Sequence, residues 1–348
     1  MVLLAVPWEG HAELVASLAE ELAGKIVISC VNPLGFDQDG PFGLVLGESA
    51  AEETCHPRRR CAMKQELQYE VHVEPQIAQS GRGPLPDGSM RMWSPIASTL
   101  ITGRKEAILV DPPMTTRQAE AVLDWVISAE RELTGIYITH GHADHWLGGI
   151  PMVERFPKAK VYATEATRRM MKSQGSPEFR ATFWDHIFPA QLPTGELDVQ
   201  VAGPDGFELE GTLLQPIEVG HTDTDDTTLL HVPDIGLLVA GDAVYNGVHP
   251  YLTESGGIPG ITSWLAALDV AADLEPRAVV AGHKAPDAPD DPVQIEQTRR
   301  YLEDARELLD IATDAQTFYD GMLVRHPDRL NPGALWGAAV VLFPGQDS

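Results

Sequence analysis

The chain is poor in positive charge. Its 348 residues carry 25 Lys and Arg against 51 Asp and Glu, a formal net charge of −26. Such a field repels phosphate backbones and anionic membranes, so neither nucleic acid nor a membrane is expected as a partner. A small-molecule substrate remains. No long single-sign block occurs, and the acidity therefore reads as a solvated surface. Cysteine is also scarce, with Cys30, Cys55 and Cys61 widely placed and no C-x-x-C among them. A disulfide framework is not expected. Cys55, His56 and Cys61 lack a fourth ligand for a metal clip. Residues 1–6 are apolar but have no basic leader and stop at Pro7-Trp8-Glu9, so they are expected to be neither signal peptide nor membrane span. The expected setting is cytoplasmic. No repeat recurs at periods of 20–50 residues, and oligomeric state is not legible.

What the chain does have is concentrated in one stretch, Thr139-His140-Gly141-His142-Ala143-Asp144-His145. It follows Gly135-Ile136-Tyr137-Ile138, a β-branched and aromatic run of the kind that makes a buried strand. Three imidazoles and a carboxylate so close together at a strand's end are metal ligands by type and spacing. An extended backbone points His140 and His142 to one side, and Asp144 and His145 lie where the chain turns, able to face a second ion.

Before that stretch, the spacing predicts a strand over residues 2–6, a helix over 11–22 and a second strand over 25–30. That is a βαβ unit of a parallel sheet. Residues 48–64 read as a polar junction containing Pro57 and Arg58-Arg59-Arg60. A second domain begins near residue 65, with an alternating strand over 68–73 and a Gly/Pro loop over 81–88 as a candidate wall of a site. A hairpin over 98–103 and 107–113 follows, then a helix over 116–127.

After the histidines come a helix to about residue 156 and a strand over 159–163. Residues 164–190 read as helix, carrying Met170, Met171, Phe179, Phe183, Trp184 and Phe188 as core or as substrate lining. Strands are predicted over 207–219, 227–232 and 236–240, and helices over 293–309 and 312–323.

Three further ligand candidates share one grammar, a strand followed by glycine and then the ligand. They are Gly220-His221, Gly241-Asp242 and Gly282-His283. Repetition of that grammar gathers these side chains at one edge of the sheets. We assign His140, His142 and His221 to one ion and Asp144, His145 and His283 to the other, with Asp242 between them. Of the other histidines, only His249 is kept as a supporting or substrate-facing group, because it follows Asp242 closely.

These motifs carry a resemblance. Residues 68–345 are similar to the metallo-β-lactamase-fold hydrolases, which implies an α/β fold of αββα type, two mixed sheets packed together with helices outside. The resemblance places Asp111 in the first motif as a supporting residue. It also implies two divalent ions, zinc first, with iron or manganese as alternatives. His142 stands where the flavodiiron branch has Glu, which argues against that branch. Tyr245, three residues after Asp242, is similar to the tyrosine of the N-acyl-homoserine lactonases, and implies a phenol donating to the substrate. Residues 1–54 resemble part of the Rossmann domain of the F420-dependent NADP reductases, a truncated Rossmann-like βαβ fragment without the Gly-x-Gly-x-x-Gly loop, so no dinucleotide is expected there. Residues 55–67 are then a linker and 68–348 the hydrolase domain, ending in helices.

The expectation is a dinuclear metal-dependent hydrolase of a carboxylic ester or lactone, with Asp144 orienting the nucleophile and Tyr245 assisting. A glyoxalase-II-like thioester hydrolase is the alternative within the class. An iron-dependent sulfur dioxygenase is the alternative outside it.

Overall fold

The computed structural model describes residues 2–4, 27–29, 34–37, 40–43 and 67–344. The chain divides into two compact units, residues 1–65 and 66–348. In the first, β1 (Val2–Leu4) pairs in parallel with β2 (Val27–Ser29), and β3 (Leu34–Asp37) pairs antiparallel with β4 (Gly40–Gly43). The helix expected over residues 11–22 and the junction at 48–64 lie outside the described residues.

In the second unit, β5 (Gln68–Glu74) is followed by a small ribbon of β6 (Ile77–Ala78) and β7 (Met92–Trp93). Next come β8 (Ile96–Thr102), β9 (Glu106–Val110), β10 (Glu132–Tyr137), β11 (Lys160–Ala163) and β12 (Val199–Val201). With β5 these form a six-stranded sheet in the order β12-β11-β10-β9-β8-β5. Pairing is antiparallel from β5 to β9 and parallel from β9 to β12. A second, five-stranded sheet runs β13 (Phe207–Leu209), β14 (Thr212–Gly220), β15 (Thr227–Val232), β16 (Leu237–Asn246) and β17 (Ala278–Lys284), with only the last pair parallel.

The two sheets pack face to face. Ile101, Ile108 and Val110 of the first meet Leu214, Leu230 and Val239 of the second in one buried cluster. Helices cover both outer faces. Helix α1 (Thr116–Ser128) starts on a capping box, in which Thr115 and Gln118 satisfy each other's backbone N–H. It lays Val122 and Val126 on the first sheet with α2 (Gly149–Arg155). After α3 (Glu165–Gln174), the second sheet is covered by α4 (Gly257–Asp273), α5 (Val293–Ile311), α6 (Ala315–Arg325) and α7 (Pro332–Leu342). This is the expected four-layer α/β sandwich.

Three local expectations are corrected. Residues 164–190 are not one helix: α3 ends at Gly175, and Ser176 caps a short turn that continues as a π-helix, Arg180–Trp184. Gly175, Ser176 and Pro177 break the run. The strand expected over 207–219 is a tight hairpin, because Glu210 and Gly211 both take positive φ. The strand expected over 236–240 continues to Asn246, and all ten of its residues are buried. Continuous burial on both faces is what a central strand needs.

Strand β16 rests on Trp264 of α4. That indole is fully buried and donates from Nε1 to the Ala243 carbonyl at 2.8 Å. Trp264→Ala removes both the packing and a partner of a buried carbonyl. Urea unfolding should show a loss of about 3–5 kcal/mol.

Candidate metal centre

Ionisable side chains gather past the ends of β9, β10 and β14 and at Asp242 and His283 within β16 and β17. Asp111, immediately after β9, adopts a left-handed backbone with φ of 52°, which a short polar residue tolerates better than most. Its carboxylate then reaches the histidine stretch. Oδ1 accepts from the Thr139 amide at 2.9 Å, and Oδ2 accepts from the Thr139 hydroxyl at 2.7 Å and from His145 Nδ1 at 3.3 Å.

This network fixes tautomers. Since the Thr139 hydroxyl proton is committed to Asp111, its oxygen accepts from His140 Nδ1 at 3.0 Å, and the lone pair of His140 stays on Nε2. The same logic applies to the other three. His145 donates from Nδ1 to Asp111, His283 donates from Nδ1 to the Pro95 carbonyl at 2.7 Å, and His142 donates from Nε2 to Glu254 Oε2 at 3.2 Å. Each imidazole therefore turns its lone-pair nitrogen inward, which is how supporting acceptors orient metal-binding histidines.

The inward atoms converge. His142 Nδ1 lies 3.1 Å from Asp223 Oδ2, His145 Nε2 lies 3.4 Å from Asp242 Oδ1, and His283 Nε2 lies 3.4 Å from Asp144 Oδ2 and 3.3 Å from Asp242 Oδ2. Two sets can each hold an ion with ligand atoms mutually within 4.8 Å: His140, His142 and Asp223, and Asp144, His145 and His283. A third grouping, Asp111 with His140 and His145, meets the same distance, but the Asp111 oxygens are already occupied by Thr139. Four buried atoms, His140 Nε2, His145 Nε2, Asp223 Oδ2 and Asp242 Oδ1, have no hydrogen-bond partner. Buried polar atoms left so are costly, and a mixed nitrogen and oxygen donor set at these separations fits divalent ions of the zinc type.

The strand-glycine-ligand grammar has a steric cause. A Cβ at Gly241 would collide with the Thr139 side chain, and one at Gly282 with Asp242 Oδ1 and the His145 ring. Only glycine lets the second sheet approach the histidine stretch this closely. The register of β16 against β17 also shifts between Gly241 and Tyr245, an irregularity that aims Asp242 inward.

Of the seven ligand candidates, six converge: His140, His142, Asp144, His145, Asp242 and His283. His221 does not join them. Its Nε2 meets the Ser255 carbonyl at 2.9 Å and its Nδ1 meets Asp225 at 2.7 Å. Asp223, two residues on and fully buried, takes the place beside His142. Tyr245 is also fully buried; its hydroxyl donates to Asp242 Oδ2 at 2.6 Å from behind, outside the cleft lining. His249 is buried against the Tyr301 hydroxyl of α5 at 2.9 Å, away from the cluster.

The cluster floors a cleft with about 680 Å³ of free space, its open mouth included. Trp93, Phe183, Trp184 and Tyr251 wall it. Trp93 donates from Nε1 to Asp144 Oδ2 at 2.9 Å, and Thr224 donates to Glu254 Oε2 at 2.9 Å. The sequence analysis missed Trp93, Asp223, Tyr251 and Glu254. Only Asp223 carried a local signal, the acidic Asp223-Thr224-Asp225-Asp226 run beside a candidate ligand.

Burial shapes the electrostatics. It holds His140 well below the usual imidazole range, with His145 and His142 adding to the effect. Burial would also depress His145, but Asp242 and Asp144 override it and lift that group to about 10. His142 and His283 are raised in the same way, by Asp223 with Glu254 and by Asp242 with Asp144. Burial pushes Asp242 up, while for Asp144 the neighbouring His145 and His283 outweigh burial and hold it far down.

A model of the "Metallo-beta-lactamase superfamily" matches residues 91–283. Hydroxyacylglutathione hydrolase of Parasynechococcus marenigrum (strain WH8102) is 30% identical over 148 residues, 41% of this chain and 48% of that protein. The protein of the same name from Nostoc sp. (strain PCC 7120 / SAG 25.82 / UTEX 2576) is 31% identical over 137 residues, 32% of this chain and 52% of that one. The chain thus spans about half the length of the curated relatives it matches. Among solved structures, a metallo-beta-lactamase family protein from Thermus thermophilus superposes with a TM-score of 0.52 at 21% identity. It covers 78% of this chain and 91% of its own, a likeness of fold.

Two outcomes follow from the centre. In the metal-free protein the facing carboxylates raise His142, His145 and His283 above the usual imidazole range; an ion must compete with the protons they favour, so ion binding should release protons and tighten as pH rises. Calorimetry of zinc binding in two buffers of different ionisation enthalpy measures the release. Glu254→Ala leaves the outer nitrogen of His142 without its acceptor, and zinc affinity, read by chelator competition, should fall about 10–100-fold.

Proposed function

The chain belongs to the metallo-beta-lactamase superfamily, and from that premise we propose that it is a two-metal hydrolase of a carboxylic acyl bond, an ester or a thioester. The observation that carries this reading is the set of four histidines whose outer ring nitrogens are each tied to an acceptor. Their inner lone pairs face Asp144, Asp223 and Asp242 at the floor of a cleft with aromatic walls.

In this reading His140, His142 and Asp223 hold one ion, and Asp144, His145 and His283 hold the other. Asp242, with one oxygen toward His145 and the other toward His283, lies at the second set. Ions so held supply Lewis-acid polarisation of an acyl carbonyl and water activated near neutral pH. The protein's part is positional. Asp111 and Thr139 lock His140 and His145, and Glu254 with Thr224 locks His142. Trp93 and Tyr245 each donate to a carboxylate oxygen, of Asp144 and Asp242, and so restrict how those groups turn. Aromatic walls keep bulk water from the acyl group and strengthen the polar contacts inside.

Tyr245 is here a positioning residue for Asp242. Since it lies outside the cleft lining, it supplies no preference for a lactone over an open ester. The thioester reading draws support from relatives named hydroxyacylglutathione hydrolase. A chain of net charge −26 also suits a small-molecule substrate better than a polyanion.

Metal content by mass spectrometry, paired with a panel of an aryl ester, a homoserine lactone, a glutathione thioester and a cephalosporin, tests the proposal. About two zinc ions per chain, with ester or thioester turnover that drops to background in Asp242→Ala, is the expected result. One iron per chain with persulfide oxidation and no hydrolysis would replace it with the dioxygenase reading.

A further inference from the structure

The mouth of the cleft is charged against the sign of the molecule. In a chain of net charge −26, Arg82 and Arg91 both line it. Of the carboxylates in the lining, Glu254 is already engaged by His142 and Thr224. Arg91 is part of the scaffold, its Nε donating to the Gly83 carbonyl at 3.0 Å and its own carbonyl accepting from the Gln79 amide at 3.0 Å.

Arg82 is different. It is exposed, and its guanidinium lies 5.2 Å from the centroid of the Phe183 ring, with no carboxylate paired to it among the described residues. Its position is built by its neighbours. Ser80 donates to the Ile187 carbonyl at 2.9 Å, and Gly81 takes φ of 69° so tightly against the His186 ring that a Cβ would clash there. The 79–83 loop is thereby pressed onto the 176–188 segment. Phe183 belongs to the π-helix Arg180–Trp184, itself pinned by Arg180 to Asp185 and to the Pro193 carbonyl. Such local widening of a helix recurs at functional sites. A guanidinium stacked on an aromatic face keeps its edge donors free for a planar anion.

We propose that the substrate of this cleft is an anionic aryl or similarly flat apolar ester, with its carboxylate on Arg82 and its ring between Phe183, Trp184, Trp93 and Tyr251. This rests on the hydrolase reading, and it adds that Arg82 is the residue selecting for charge.

The test uses the zinc-loaded full chain and three esters of similar shape: phenyl acetate, 4-acetoxybenzoate and the acetate ester of 4-(trimethylammonio)phenol. Wild type and variants are compared on each ester, so the intrinsic reactivity of the leaving groups cancels. Arg82→Ala should lower kcat/KM for 4-acetoxybenzoate about tenfold, mainly through KM, and leave phenyl acetate within about twofold. Arg82→Lys should recover part of the loss, and Arg82→Glu should turn the preference toward the cationic ester. Equal effects on the neutral and anionic esters, or none, overturn the inference while leaving the hydrolase reading standing. Should no ester turn over, the hydrolase reading fails, and the charge selection is still decided by binding. Benzoate affinity, followed by tryptophan fluorescence, should drop about tenfold in Arg82→Ala with benzyl alcohol unchanged. Equal benzoate affinity in wild type and variant overturns it.

Discussion

Eight ionisable side chains, Asp111, His140, His142, Asp144, His145, Asp223, Asp242 and His283, are buried together at one edge of two sheets. Burying charge without compensation is among the costliest things a fold can do. The four histidines and four carboxylates compensate one another only in part, because several inward atoms have no hydrogen-bond partner. Much of the surrounding architecture answers to that constraint. The left-handed Asp111, the glycines before Asp242 and His283, and the register shift in β16 all serve to bring donor atoms close. None of these features is favourable taken alone, and each is explained by what a cation would return.

The support is layered. Inner atoms are held by outer ones: Thr139, Pro95, Glu254, Trp93 and Tyr245 each make at least one hydrogen bond to a residue of the cluster. Those outer residues come from both sheets and from the connecting segments. Assembly of the centre therefore depends on the sheets packing in one arrangement, which the apolar layer around Ile101, Val110, Leu230 and Val239 secures. Folding and ligand geometry are one problem here, because moving either sheet by the width of a methyl group separates Gly282 from His145.

How much of this was written locally can be seen residue by residue. The histidine stretch and the repeated strand-glycine-ligand pattern are contiguous signals that named six of the gathered side chains, and the two-sheet fold came with the family resemblance those motifs carry. His221 obeyed the same pattern, yet its ring is held by Ser255 and Asp225. Ser255 is far away in sequence, so no local rule weighs it against Asp223. Tyr245 sits at the expected spacing, but spacing cannot tell which face of a strand buried on both sides meets the cleft. Trp93 and Glu254 are lone residues whose partners are distant, and nothing adjacent marks them. Helices α4 and α7 escaped notice because their apolar residues are too continuous to show a period against Gly256-Gly257 and Gly333-Ala334 at their starts. The break in 164–190 was legible in Gly175-Ser176-Pro177 and was outvoted by the aromatic stripe.

The charge pattern bears on how any substrate reaches the centre. A molecule at −26 repels an anion at long range, but mobile salt confines that repulsion to about 8 Å at physiological ionic strength. Within that distance the nearest charges decide, and at the cleft mouth these include Arg82 over Phe183. An anion would thus approach slowly and be held once inside, the reverse of electrostatic steering. On the same proposal a polyanion, whose many phosphates cannot all find an arginine, would be turned away, while a single carboxylate would be held. Short-range attraction set in a long-range repulsive field separates small anions from large ones with no steric gate. That is why the acidity of the whole chain and the arginines of one cleft belong to the same account of specificity.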